Sequence, residues 1–312
     1  GLGDVYKRQS PGENAKQWKY KAPWIATTYF YNTAHIAAEF AQVLGKAEDE
    51  KEFRKLMEKI ENAYRAVFLN ENGLLKEEFQ SAYLCPIHFG MLTPAERQKM
   101  GDRLAEMAAE NGHRIATGFL GTPYLLFALS DTGHTDEAYR VLLNEECPGW
   151  LYAVKHGATT IWERWDALLP DGSVNMSQDQ ANGKAATSAD FDPEDQSAAS
   201  MTSFNHYAYG AVGDWLYRRV AGLETITPRW KHFRAAPQPG GGLTWAEGYT
   251  QTPYGTARSR WEIEGERFVL TVEVPADTIC DAVLPDGTVT MLKEGVHTLQ
   301  CPYHLQDKAE RR

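Results

Sequence analysis

A glutamate set among tryptophans and next to an arginine carries the most chemistry in this chain: Gly157-Ala158-Thr159-Thr160-Ile161-Trp162-Glu163-Arg164-Trp165-Asp166. Indole rings offer flat apolar faces to sugar rings, and a carboxylate held among them can activate water or orient a hydroxyl. The neighbouring Arg164 would help keep such a carboxylate ionised, as a general base requires. A second aromatic and polar run, Ser203-Phe204-Asn205-His206-Tyr207-Ala208-Tyr209-Gly210, follows. Its His206 can donate to hydroxyls or accept from them. Together the two runs point to chemistry on carbohydrate. Residue types alone favour a structural role for Glu163, as a carboxylate paired with Arg164, and for His206, as a satisfied core histidine, and leave Trp162 and Trp165 open as core aromatics.

Bulk properties narrow the partners. The net charge of −10 argues against nucleic acid, whose affinity comes largely from lysine and arginine on phosphates, and it gives anionic lipid heads no attraction. No stretch approaches the roughly 20 apolar residues that span a bilayer. The 4 cysteines, Cys85, Cys147, Cys280 and Cys301, lie far apart without a CxxC pair, so incidental reduced thiols are expected. No HExxH or phosphate-loop pattern is present, and His35, His88, His113 and His156 lack metal-ligand spacing; no metal and no cofactor is expected. The chain does not begin with methionine, and residues 1–9, GLGDVYKRQ, resemble adapter-derived read-through. They are set aside as non-native, and a longer gene cut at its front is the expectation.

The elements that must hold the chemical residues read as helices over roughly the first two thirds of the chain. Phe53, Leu56, Met57, Ile60, Ala63, Tyr64, Val67 and Phe68 recur at helical spacing, the stripe of an amphipathic helix. Trp24 to Leu44 is helical in pattern, with Gly45 as a stop. Thr93-Pro94-Ala95-Glu96 spells a capping box. Helices are also expected from Thr122-Pro123 to Leu129, from Thr135 to near Asn144, and from Ser203 to Ala221, where Gly222 ends the last one. With a shorter element near residues 80 to 90 this makes about seven helices joined by short connections. After Pro228 short β-branched and aromatic runs take over: Arg258 to Ile263, Arg267 to Val274, Thr278 to Leu284 and Thr288 to Leu292, with turns at Glu264-Gly265 and Asp286-Gly287. Partial alternation at Val269, Thr271, Val272 and Val274 suits a half-buried antiparallel sheet. The expectation is a helical domain over 10–227, carrying a loop insertion at 177–200, and a small β-sandwich over 228–312.

Three long motifs closely resemble the bacterial α-L-rhamnosidases, glycoside hydrolase family 78. They are the run from Gly157 to Asp166, then Leu169-Pro170-Asp171-Gly172-Ser173-Val174-Asn175, then Met201 to Leu216. Thr28-Tyr29-Phe30-Tyr31, Thr117-Gly118-Phe119-Leu120-Gly121-Thr122-Pro123, and in the tail Gly242 to Ala246 and Thr252-Pro253-Tyr254-Gly255 add to the resemblance. It covers nearly everything after about residue 20 and implies a multi-domain chain, α then β: a partial (α/α)6 toroid followed by a small antiparallel β-sandwich. It implies hydrolysis of terminal α-L-rhamnosyl groups with inversion and without an organic cofactor. By resemblance Glu163 is the general base that deprotonates the attacking water, and His206 hydrogen-bonds the rhamnose hydroxyls. Trp162, Trp165 and Arg164 are the further candidates for the sugar pocket.

Two departures accompany the resemblance. The family's general acid lies in an earlier acidic, arginine-containing motif that nothing here matches. Glu77, Glu78, Glu145 and Glu146 sit in the wrong context, so the acid is expected upstream of residue 1 and this chain alone is expected to be inactive. Secondly, Glu163 and His206 stand further apart in sequence than is usual, the surplus falling at 177–200. Alternatives are another (α/α)6 glycosidase, glucosidase- or trehalase-like, and a non-catalytic carbohydrate-binding fragment. The compartment stays open, with a bacterial cytoplasm marginally favoured, as do oligomeric state and natural aglycone.

Overall fold

Three residues, Leu44 to Lys46, separate the first two helices and force them to fold back on each other. The structure, a computed structural model, describes residues 15–175 and 203–304, without the side chains of 15–20; the readings made for 1–9 and 177–200 lie outside the described residues. The chain divides into two compact units, the first ending at Ala211.

In the first unit, α1 (Ala15–Val43) and α2 (Ala47–Phe68) form the opening hairpin. Trp24, Tyr31, Ala34, Ala38 and Ala41 share one face of α1, and Ile60, Tyr64 and Phe68 share one face of α2; all are buried. The alanines let the two axes approach closely, and the Trp24 and Phe68 rings meet at 4.7 Å. α1 begins earlier than the expected Trp24, and the helix runs through Pro23. α3 (Gln80–His88), α4 (Pro94–Glu110), α5 (Thr122–Ser130) and α6 (Thr135–Leu142) follow, with α3 packed against α4 and α5, and α5 against α6. The capping box before α4 is formed in full: the Glu96 amide donates to Thr93 Oγ1 at 3.3 Å, and Glu96 Oε2 accepts from the Thr93 amide at 2.8 Å. One more helix, α7 (Trp150–Lys155), carries no signal in the sequence because six residues are too few to establish a period.

The helix expected from Ser203 to Ala221 is composite. Residues 203 to 206 are not helical; a 3₁₀ turn spans Tyr207–Ala211, and in the second unit α8 (Val212–Trp215) passes into a π-helical turn, Leu216–Val220. Gly210 and Gly213 weaken helix propensity here, and the leading residues make other hydrogen bonds instead.

The rest of the second unit is a two-sheet sandwich. β1 (Leu223–Thr225), β2 (His232–Ala235), β6 (Ile279–Val283) and β7 (Val289–Leu292) form one sheet in that order. β3 (Trp245–Thr252), β4 (Gly255–Glu264), β5 (Arg267–Val274) and β8 (Gly295–Pro302) form the other. All pairs are antiparallel except β2 with β6, which run parallel because the β3–β5 excursion lies between them in the chain. Phe268, Leu270, Val272 and Val274 of β5 point inward, joining Phe233, Trp261, Cys280 and Leu292 between the sheets. Val269 and Thr271 therefore lie on the other face, so β-branching did not mark the buried side. The Trp261 indole donates to Val220 O at 2.7 Å, and Ser259 Oγ donates to Ala221 O at 2.7 Å, tying the π turn to β4.

Candidate active site

The two chemical motifs meet backbone to backbone. The Glu163 amide donates to Ser203 O at 2.9 Å, and the His206 amide donates to Ile161 O at 2.8 Å. The Thr160 hydroxyl donates to Phe204 O in the same pairing. Glu163 and His206 thus stand on two segments laced side by side, although some forty residues separate them in the chain. The Glu163 side chain is buried, and its Oε2 accepts from the Ser203 amide at 3.0 Å. That charge-assisted bond stabilises the carboxylate anion and holds one oxygen in a fixed direction.

Arg164 and Asp166 are buried together, with side chains 5% and 9% exposed. The guanidinium donates through Nε to Oδ1 at 3.1 Å and through Nη2 to Oδ2 at 3.2 Å, and Asn175 Nδ2 donates to the same Oδ2 at 2.7 Å. The Asn175 amide donates to Ala167 O at 3.0 Å. Arg164 thus grips Asp166. The pair anchors the loop that carries Glu163, and Asn175 of the Leu169–Asn175 motif completes it.

The indoles are packed. Trp162 lies in a cluster with Tyr152 and Ala167, its ring edge-on to Phe204 at 5.5 Å. Trp165 stacks on Tyr209 at 3.8 Å and 17°, meets Trp150 edge-on at 5.4 Å, and donates to Thr117 O at 3.4 Å. Trp150 Nε1 donates to Tyr209 O at 3.0 Å, closing this aromatic block onto the 3₁₀ turn.

His206 is half-buried and lies flat on Phe119, with ring centroids 4.8 Å apart and planes 11° apart. Its Nδ1 accepts from the Ala208 amide at 3.4 Å. Tyr207, 89% exposed, lies near-parallel to it at 5.7 Å. Phe119 comes from the Thr117–Pro123 motif, a tight turn in which the Thr122 hydroxyl donates to Gly118 O at 2.8 Å and Thr117 Oγ1 lies 2.8 Å from Thr122 Oγ1. Gly121 is required there, because a Cβ would stand 2.6 Å from the buried Ser81 Oγ. Sequence reading singled out the motif for resemblance but gave Phe119, Ser203 and Asp166 no role at the site. Their spacing from Glu163 and His206 carries no period that could have marked them.

Three of the other carboxylates weighed earlier are engaged elsewhere. Glu78 bonds Arg103 at 2.9 Å and accepts from the Tyr83 hydroxyl at 2.8 Å; Arg103 holds its carboxyl below the usual range, the wrong direction for a general acid. Glu145 pairs with Lys155, and Glu146 with Arg114. All four cysteines are free, and burial pushes the thiols of Cys147 and Cys280 up to about 12. Among the described residues no group of three or more His, Cys, Asp or Glu could hold a metal ion, and no helix is long and apolar enough to cross a membrane.

Helical hairpins succeeded by a β-sandwich, with a buried carboxylate on an aromatic loop, define the class. Residues 1–220 match the bacterial alpha-L-rhamnosidase 6 hairpin glycosidase domain, and residues 222–298 match the bacterial alpha-L-rhamnosidase C-terminal domain. The chain belongs to the bacterial α-L-rhamnosidase family. It is 36% identical over 261 residues to an α-L-rhamnosidase of Streptomyces avermitilis, covering 84% of this chain and 23% of that protein. It is 35% identical over 271 residues to one of Formosa agariphila, covering 86% and 27%. The chain thus spans about a quarter of the length of the curated relatives it matches. Among solved structures it resembles the Streptomyces avermitilis α-L-rhamnosidase complexed with L-rhamnose, with a TM-score of 0.80, 32% identity and coverage of 96% of this chain and 28% of that one. The native Aspergillus terreus α-L-rhamnosidase gives a TM-score of 0.78 at 32% identity, covering 88% and 30%.

Proposed function

We propose that this chain forms part of an inverting α-L-rhamnosidase, in which Glu163 is the general base and terminal α-L-rhamnosyl groups are hydrolysed from rhamnosides. The observation that supports the reading is the backbone pairing of 161–163 with 203–206, which joins the segment of a buried, amide-anchored carboxylate to the segment of the histidine expected to meet the sugar hydroxyls. Inversion needs a water between the base and the anomeric carbon, and a second carboxyl about 6.5–9.5 Å from the first to protonate the leaving oxygen. No residue of this chain is assigned that acid role, and the proposal places it in the remainder of a longer polypeptide. By itself the chain is then expected to hydrolyse little or nothing. Trp162, Trp165 and Arg164 act by shaping and anchoring the Glu163 loop. His206 contacts the sugar hydroxyls. The Streptomyces relative with L-rhamnose bound supports rhamnose as the recognised unit, and the family matches disfavour a glucosidase, a trehalase or a binding-only module.

In the full-length protein, Glu163→Gln should lower turnover of a nitrophenyl α-L-rhamnoside by orders of magnitude while rhamnose binding largely survives. Near-normal turnover removes Glu163 from the base role. Preference for the α-D-glucoside over the α-L-rhamnoside removes the substrate assignment.

A further inference from the structure

A histidine that contacts sugar hydroxyls must present one chosen nitrogen in one direction. An imidazole on an exposed segment ordinarily rotates about χ2, a broad and soft torsion. Here two independent contacts restrict it. Phe119 covers one face of the ring at 4.8 Å and 11°, and the Ala208 amide addresses Nδ1 at 3.4 Å. An amide N–H is a donor only, so Nδ1 must be the accepting nitrogen, and the neutral ring carries its proton on Nε2. Phe119 is itself held, since its ring also packs against Tyr209 at 5.0 Å and 55°, and Tyr209 is buried on Trp165. The rigid turn from Thr117 to Thr122 fixes its backbone.

Resting on the site assigned above, we propose that Phe119 is the positioning residue of the sugar-binding histidine: it holds the His206 ring flat in the Nε2–H tautomer, so that Nε2 donates to a ring hydroxyl of a deoxyhexose. The stack occupies a face of the imidazole and leaves its edge, where both nitrogens lie, for hydrogen bonds. The aromatic series from Trp165 through Tyr209 and Phe119 to His206 then links the loop carrying Glu163 to the orientation of the sugar. Phe119 touches neither the sugar nor the reacting atoms; it acts through His206.

Nitrogen and proton spectra of the histidine-labelled full-length protein, assigned with His206→Ala, provide the test, together with calorimetric titration of L-rhamnose. The wild-type spectrum should show His206 ring protons moved upfield by the Phe119 ring current, and nitrogen shifts of a single Nε2–H form. Phe119→Leu should return those protons toward free-histidine positions, mix the tautomers and weaken rhamnose about tenfold. Phe119→Tyr, which restores a ring, should recover both. A wild-type spectrum with averaged tautomers or unshifted ring protons overturns the proposal whether or not Phe119→Leu folds. So does Phe119→Leu with wild-type affinity in a protein where His206→Ala has lost it. Undiminished rhamnose binding by His206→Ala, or none by the wild type, overturns instead the site assignment beneath it.

Discussion

Removing the Asp166 carboxylate should destabilise the first unit by about 3–5 kcal/mol, the cost of breaking a buried ion pair from one side. The structure supports a value in this range. Both side chains are less than a tenth exposed, and the guanidinium makes two contacts of 3.1 and 3.2 Å with the carboxylate. Unit charges about 4 Å apart at an effective dielectric of about 20 attract by about 4 kcal/mol, and Asp166→Ala forfeits this while the guanidinium stays desolvated. The Asn175 amide loses its 2.7 Å acceptor as well. Unfolding in urea followed by tryptophan fluorescence reads the effect: with a slope of about 2 kcal/mol per molar, the midpoint of the first unit's transition should fall by about 2 M. Replacing both charges, Arg164→Met with Asp166→Leu, should recover most of the loss. It leaves the Asn175 donor without its Asp166 acceptor, worth about 1–3 kcal/mol. An Asp166→Ala midpoint within experimental error of wild type, or a double variant less stable than Asp166→Ala, would refute the anchoring role assigned to the pair.

Other outcomes follow from single contacts. Hydrogen bonds from Arg65, with those from Thr93, draw the Glu96 carboxyl down from 4.5 to about 2, so its contribution to stability is complete above pH 4.5 and is lost as pH falls toward 2. The stability gap between wild type and Glu96→Gln, measured in urea across this window, should therefore close with acidification; a gap that is constant with pH contradicts the assignment. Gly222→Ala should cost about 3 kcal/mol or prevent folding of the sandwich, because Gly222 has φ +78° and an added Cβ would stand 2.1 Å from Pro237 N, a backbone atom that cannot turn aside. A thermal melt of that variant superimposing on wild type would remove the close approach.

Much of this protein was legible in one dimension. The stripe from Phe53 to Phe68, the Thr93–Glu96 box and the change of texture after Pro228 announced α2, α4 and the sandwich, because apolar period, capping chemistry and turn residues act over a few positions. The pairing of β2 with β6 was not legible, since nothing local to either strand names a parallel partner across three intervening strands. Nor was the break of the last helix at Ser203–His206. The amides of Ser203 and His206 and the carbonyls of Ser203 and Phe204 are committed to residues 160–163, and a helical reading of the sequence has no knowledge of them.

The candidate site divides along the same line. Sequence determined which side chains could act, a carboxylate among indoles and a histidine in an aromatic run, because these are properties of residue type and motif. Only the tertiary structure decided their partners: Ser203 beneath Glu163, Asp166 and Asn175 around Arg164, Phe119 under His206. Each of those contacts is set by how buried polar groups find donors and acceptors once segments distant in the chain are pressed together. That choice depends on ångström-scale geometry, which no spacing along the sequence encodes.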